Sequence, residues 1–115
     1  MASRRKQYKE DAQFRVMQLI SQNHQMTSRE IAQKVGISNG SAYYLLTSLI
    51  DKGFVKFNNF KINTQKLKYT YLLTPKGIHK KSLLMLKFLE RKREEFEALR
   101  YEITQLEQSI RKNNE

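Results

Sequence analysis

The sequence predicts a mainly α-helical protein with one small β-hairpin, followed by a long C-terminal helix. Three observations lead to this prediction. Apolar residues recur at helical spacing in three segments between Lys9 and Lys52. Two runs rich in β-forming residues follow Gly53. After Thr74, an apolar seam recurs in steps of four and three residues as far as Ile110.

The chain is expected to begin with a flexible basic arm, residues 1–8, followed by a first helix from about Lys9 to Asn23. Thr27 stands three residues before Glu30, which is the spacing of a capping box at the start of a second helix. Gly36 would end that helix as a left-handed cap. The residues predicted to face inward from these two helices are Ala12, Phe14, Val16, Met17, Leu19, Ile20, Ile31, Ala32 and Val35.

Ser38 is predicted to cap a third helix that runs to about Lys52 and is stopped by Gly53. Its core-facing residues would be Ala42, Leu45, Leu46 and Leu49. Two short helices joined by a tight, glycine-containing turn form a helix-turn-helix. After Gly53 the sequence becomes rich in strand-forming residues, which predicts strands at 54–57 and 68–73. The residues between them, 58–67, are polar and basic and predict a hairpin with a mobile tip, or wing.

Thr74 and Pro75 mark the start of the last helix, which is expected to reach about Lys112. A long helix with a single apolar seam needs a partner helix in water, and a second copy of the chain is the simplest partner. The sequence therefore predicts a winged helix-turn-helix at 9–77 and a coiled-coil-like dimerisation helix at 78–115. The predicted homodimer contacts are Met85, Leu89, Phe96, Leu99, Ile103, Leu106 and Ile110, a seam interrupted at Lys92.

Charge indicates the kind of partner. The 115 residues carry a formal net charge of +11, of which residues 1–77 contribute +9. Such an excess of positive charge disfavours folding because the charges repel one another. It indicates that the partner is a polyanion, either nucleic acid or an anionic membrane. The sequence contains no stretch that could span a membrane and no cysteine, so we expect a cytoplasmic protein with double-stranded DNA as its partner.

The candidate DNA contacts lie in three places. Recognition helices present their first turns and outer face to base edges and phosphates, which here would be Ser38, Asn39, Gly40, Ser41, Tyr43, Tyr44 and Thr47. The wing would add the phosphate-binding lysines Lys61, Lys66 and Lys68. Arg29, at the start of the second helix, could also meet a phosphate.

Catalytic chemistry has little support in the sequence. His24 and His79 have no cysteine or carboxylate at ligand spacing, and no phosphate-binding or nucleophile motif occurs. We therefore predict no enzymatic activity, no catalytic residue, no metal site and no cofactor.

Three segments resemble the MarR-type winged-helix regulators: Thr27-Ser-Arg-Glu-Ile-Ala-Gln-Lys-Val-Gly-Ile-Ser, Leu49-Ile-Asp-Lys-Gly-Phe-Val and Leu73-Thr-Pro-Lys-Gly. Within that family, Val55-Lys-Phe-Asn-Asn-Phe-Lys, Tyr71-Leu-Leu-Thr-Pro-Lys-Gly-Ile and Phe88-Leu-Glu-Arg-Lys look like the short branch associated with exopolysaccharide (EPS) genes. The resemblance covers about Phe14 to Ile110.

The resemblance implies a dimeric bacterial regulator that binds operator DNA through the third helix and the wing. Typical members carry an Asp and an Arg on the wing, where this chain has Asn and Lys residues, and the predicted first helix is short. We therefore expect no small-molecule effector.

Two alternatives remain open at this stage. The winged helix could be the scaffold of a protein-interaction adaptor whose C-terminal helix recruits a partner. Single-stranded nucleic acid or RNA could stack on Tyr43, Tyr44, Phe57 and Phe60. The second alternative is disfavoured because these aromatic residues are expected to support the core and the wing.

Overall fold

The computed structural model describes residues 4–63 and 66–114, with backbone alone for 60–63 and 66–68. In chain order, the elements are α1 (Arg4–Gln22), α2 (Ser28–Val35), α3 (Asn39–Asp51), β1 (Val55–Asn63), β2 (Lys66–Leu73) and α4 (Pro75–Asn113). The chain forms two compact units, the first ending at Met85 and the second beginning at Leu86. The predicted fold class, a winged helix-turn-helix followed by a long helix, is confirmed.

The core of the first unit is formed by apolar side chains from every helix of the helix-turn-helix and from the hairpin. Its most completely buried side chains are Val16, Met17, Ile20, Ile31, Leu46, Leu49, Val55 and Thr70. Burying one such apolar side chain stabilises the fold by about 1.5–3 kcal/mol. Thr70 is tolerated there because its hydroxyl donates a hydrogen bond to the Asn58 carbonyl, 2.9 Å away.

Helix α1 differs from the prediction because it begins at Arg4 rather than near Lys9. Residues 4–8, expected to form a flexible arm, are helical, and with 19 residues the helix is not short. The physical reason is that Arg, Lys and Gln are good helix formers, so the helix extends through these residues. The sequence did not indicate this extension because residues 4–8 show no apolar pattern.

The strands are longer than the apolar runs indicated, since β1 extends to Asn63 and β2 begins at Lys66. They pair antiparallel from Val55 opposite Leu73 to Lys61 opposite Leu67. An irregularity between Lys61 and Asn63 then brings Asn63 opposite Lys66. Cross-strand hydrogen bonding therefore extends into a segment whose side chains are mostly polar.

The beginning of α4, as far as Met85, is part of the first unit. The Thr74 hydroxyl accepts a hydrogen bond from the Gly77 amide at 3.0 Å and donates one to the Gly53 carbonyl. A Cβ at Gly77 would lie 1.9 Å from the Phe54 carbonyl oxygen, so glycine is required by this close approach. Leu84 is buried as well, which is why the first unit extends beyond the boundary expected after Gly77.

The second unit is the remainder of α4, from Leu86 onward. Every described residue from Arg93 to Asn114 is exposed. Lys92, which interrupts the apolar seam, lies 3.0 Å from the Glu95 carboxylate and over the Phe88 ring. The seam residues Phe96, Leu99 and Ile103 are 60%, 56% and 46% exposed within this chain.

Candidate nucleic-acid interface

Three local motifs that the sequence predicted define the start of α2, the end of α2 and the start of α3. The Thr27 hydroxyl accepts a hydrogen bond from the Glu30 amide at 3.3 Å, and the Glu30 carboxylate accepts one from the Thr27 amide at 3.4 Å. Gly36 ends α2 at φ +82°, a left-handed conformation that favours glycine. Ser38 caps α3, since its hydroxyl accepts a hydrogen bond from the Ser41 amide at 3.0 Å. These motifs set the direction in which α3 leaves the domain.

Helix α3 has one buried face and one polar, exposed face, as predicted. Ala42, Leu45, Leu46 and Leu49 are buried. All seven residues predicted to contact DNA on this helix and its cap are exposed, namely Ser38, Asn39, Gly40, Ser41, Tyr43, Tyr44 and Thr47. We call these seven residues the α3 face. Their contact with DNA stays a prediction.

The members of the α3 face differ in how free they are to bind. The Ser38 hydroxyl donates to the Ser41 hydroxyl at 2.8 Å and also caps the helix, so its first role is structural. Tyr43 and Tyr44 are 66% and 72% exposed. The expectation that these two rings support the core is wrong, because neither is buried.

Gly40 is an unusual residue to find in α3. Its φ is not positive, and a Cβ built there would meet no atom of the chain within 4 Å. The fold therefore does not require glycine at this position, although glycine destabilises a helix by about 1 kcal/mol relative to alanine. The missing side chain leaves the α3 backbone open to a close approach from outside the protein.

The wing adjoins α3 through Tyr71 of β2, whose side chain is buried. Burial of the hydroxyl raises the pKa of Tyr71 above 10.0, a hydrogen bond with Ser28 lowers it in part, and a Coulombic interaction with Tyr43 raises it further. Tyr71 also lies 5.5 Å from the Phe57 ring. One side chain thus connects the wing with the start of α2 and with the α3 face.

The predicted wing contacts Lys61, Lys66 and Lys68 lie outside the residues whose side chains are described. Their backbones are paired within the hairpin. Nearer the domain, Lys56 and Asn59 are exposed. Phe57 was expected to support the core or wing, but it is 59% exposed. Tyr69, which the sequence reasoning did not select, is 55% exposed.

Arg29 is the second residue of α2 and is exposed, so it is free to meet a phosphate near that helix start. Within residues 4–63 and 66–114, no cluster of histidine and carboxylate side chains is suitable for holding a metal ion. The same part of the chain contains no helix with the length and hydrophobicity needed to cross a bilayer.

Comparison with known proteins supports this description of the fold. Residues 9–56 match the family model described as winged helix-turn-helix DNA-binding. None of the curated protein sequences matches the chain. Several solved regulator structures do resemble it.

Staphylococcus aureus MarR in complex with salicylate and kanamycin aligns with a TM-score of 0.54 and 21% identity, covering 70% of this chain and 53% of that one. A PadR-like transcriptional regulator from Bacillus cereus aligns with a TM-score of 0.66 and 17% identity, covering 76% of this chain and 89% of that one. The transcriptional repressor CouR bound to a 23-mer DNA duplex aligns with a TM-score of 0.61 and 22% identity, covering 74% of this chain and 58% of that one. This chain thus spans about half the length of the S. aureus protein, and the likeness is one of fold.

Proposed function

We propose that this chain, which has the winged-helix fold of the MarR-type regulators, is a sequence-specific regulator that binds double-stranded DNA through the α3 face and the wing. The observation that carries the proposal is the α3 face itself. It is a capped, polar and exposed helix surface in a segment whose net charge is strongly positive. Helices of this kind present amide and hydroxyl groups to base edges in the major groove.

The two surfaces have different roles in this proposal. Wing lysines neutralise phosphates, which gives affinity that depends on salt and hardly on sequence. Asn39, at the exposed start of α3, is the residue best suited to read a base, because an amide side chain can form two hydrogen bonds with adenine. Non-covalent binding at a promoter is all that the proposed function requires of the protein.

The test is selection of bound fragments from random duplex DNA, followed by affinity measurements on the selected site and on a scrambled site. Replacing both Lys66 and Lys68 by alanine should weaken binding to both sites similarly. Asn39→Ala should instead reduce the preference for the selected site by about 1–3 kcal/mol. The reverse pattern would show that the two surfaces have been misassigned.

The same measurements separate the alternatives. No binding of duplex DNA at low ionic strength would refute the proposal and favour an adaptor that recruits a protein partner. Tighter binding of single strands than of duplex would favour stacking on the exposed Tyr43 and Tyr44 rings.

We also propose that the protein is a homodimer joined by the seam of α4. The support is the exposure of Leu89, Phe96, Leu99, Ile103, Leu106 and Ile110 in this chain, together with Met85 at the end of the first unit. A second copy offers the same seam, so that apolar rows can interdigitate. Two copies would bind two half-sites of a nearly palindromic operator.

Sedimentation equilibrium tests the dimer. Leu99→Lys places a charge in the middle of the seam and should convert a dimer to a monomer. Gln108→Lys adds the same charge on the outer side of α4, two residues after Leu106, and should leave the dimer intact. If both variants sediment like the wild type, the seam does not hold the dimer.

Two finer proposals rest on the sequence alone. Control of exopolysaccharide genes is supported by the resemblance of the wing and of Leu72-Leu-Thr-Pro-Lys-Gly to the EPS-associated branch. The absence of a small-molecule effector is supported by the Asn and Lys residues on the wing. A thermal-shift experiment with salicylate tests the second proposal, since stabilisation by salicylate would contradict it.

A further inference from the structure

Residues 4–9, at the start of α1, form a basic stretch that the assigned contacts do not use, and the acids Glu10 and Asp11 follow it. Arg4, Arg5, Lys6 and Lys9 all lie there, and residues 4–9 contain no acid. Each of the four is exposed. Cations at the start of a helix oppose its dipole, which favours negative charge at that end. The positive charges in the first turn of α1 are therefore not stabilised by the helix dipole.

The structure brings this stretch next to α3. Lys9 and Ala12 line one side of a cavity of about 460 Å³, and the turn before α3 and α3 itself line the other side, through Ile37, Gly40, Ser41, Tyr44, Leu45 and Ser48. Arg5 lies four residues before Lys9, so both side chains occupy the same face of α1. That face is the one adjoining the first turns of α3.

The wing and α1 flank the α3 face on opposite sides. Tyr43 interacts electrostatically with Tyr71 of the wing. The next residue, Tyr44, lines the cavity with Lys9 instead. Because successive residues of a helix point about 100° apart, the α3 face lies between these two flanks. DNA in contact with this face would run past the wing on one side and α1 on the other.

We propose that Arg5 and Lys9 of α1 bind phosphates of the DNA backbone on the flank of α3 opposite the wing. This inference rests on the proposed DNA binding and adds a further contact surface to it. An arginine can bind a phosphate through two parallel N–H groups, and a lysine binds it as a compact charge. Such contacts position the protein on the duplex without reading its sequence.

The experiment measures the dependence of DNA affinity on salt for the full-length protein. Each phosphate contact contributes about 0.9 to the slope of log affinity against log salt concentration. The double variant R5A/K9A should therefore show a slope that is shallower than that of the wild type by about 1.8 units for each bound protomer, or about 3.6 units for the proposed dimer on two half-sites. It should also weaken binding to all duplexes by a similar factor.

Two control variants make the result specific. R93A/K112A removes the same pair of residue types from exposed positions of α4, in the second unit. Its slope should change much less than that of R5A/K9A, because neither residue belongs to the proposed contact surfaces and only a contacted phosphate contributes fully to the slope. R5K/K9R keeps both charges on α1 and should retain a slope close to that of the wild type. Circular dichroism and thermal unfolding confirm that each variant is folded.

The outcomes are distinguishable. If the wild type binds no duplex DNA, the proposed function and this inference both fall. If the wild type binds but R5A/K9A and R93A/K112A have the same slope, this inference alone is overturned. A change in sequence preference at an unchanged slope would also overturn it, because it would show that Arg5 or Lys9 reads bases.

Discussion

Replacing Gly40 by alanine should change folding stability and DNA affinity in opposite directions. Gly40 lies in the first turn of α3 with no positive φ, and a Cβ there would have no neighbour within 4 Å. Alanine should therefore fit without strain and reduce the conformational freedom of the unfolded chain, raising the free energy of unfolding by about 0.5–1 kcal/mol. For a domain of this size, 1 kcal/mol corresponds to about 4 °C in Tm.

The effect on binding follows from the position of the added methyl group. Gly40 is a member of the α3 face, and in the proposed complex the absence of a side chain would let DNA approach the α3 backbone closely. A methyl group there should reduce affinity for the selected duplex about tenfold, which is about 1.4 kcal/mol. Thermal unfolding measures the first effect, and fluorescence anisotropy with labelled duplex at fixed salt concentration measures the second.

A second glycine provides the control. Gly36 also has open space at its Cβ, but its φ is +82° and it lies in the turn, outside the α3 face. Gly36→Ala should therefore lower the free energy of unfolding by about 1 kcal/mol while leaving the DNA affinity of the folded protein unchanged. If Gly40→Ala raises Tm but binds DNA as the wild type does, Gly40 is an ordinary surface residue and the close-approach argument is refuted.

Two further predictions concern packing and titration. Gly77→Ala should destabilise the protein by about 1–3 kcal/mol in chemical denaturation, because the added Cβ would collide with the Phe54 carbonyl; an unchanged midpoint would show that the start of α4 can shift. Tyr71→Phe should flatten the loss of stability at alkaline pH. Burial raises the pKa of Tyr71 above 10.0, so its contribution is complete below pH 10 and is lost as pH rises through the folded-state pKa. Denaturation at pH 8 and pH 11 gives the difference between wild type and variant, in which groups common to both cancel; equal losses would contradict this account.

The parts of the fold that the sequence predicted well depend on short-range chemistry. The capping box of Thr27 and Glu30, the left-handed Gly36 and the Ser38 cap each involve residues within four positions of one another. The geometry of each motif is therefore determined by residues that are neighbours in the sequence. The buried and exposed sides of α3 also followed from helical periodicity alone.

The parts that the sequence did not reveal depend on contacts between distant segments. Nothing near Gly77 in the sequence indicates that the Phe54 carbonyl approaches it. Likewise, nothing in the sequence indicates that Lys9 of α1 and Tyr44 of α3 line the same cavity. Exposure of Phe57 was missed because an aromatic residue in a strand favours burial only where another layer covers it. The sequence pattern therefore predicts which face of a helix or strand is apolar, but not which other element lies against that face.

Three features of this chain oppose the stability of the isolated protomer, and each is explained by a proposed partner. Gly40 weakens α3 at the place where a duplex would approach. Arg5 lies in the first turn of α1, where the helix dipole disfavours positive charge, on the flank where phosphates would lie. The seam around Leu99 leaves apolar surface in water unless another helix covers it. Local rules of stability are broken most often at functional sites. Replacing all three features should stabilise the protein but weaken DNA binding and dimerisation. If it stabilised the protein and left both unchanged, the proposals would lose their common physical basis.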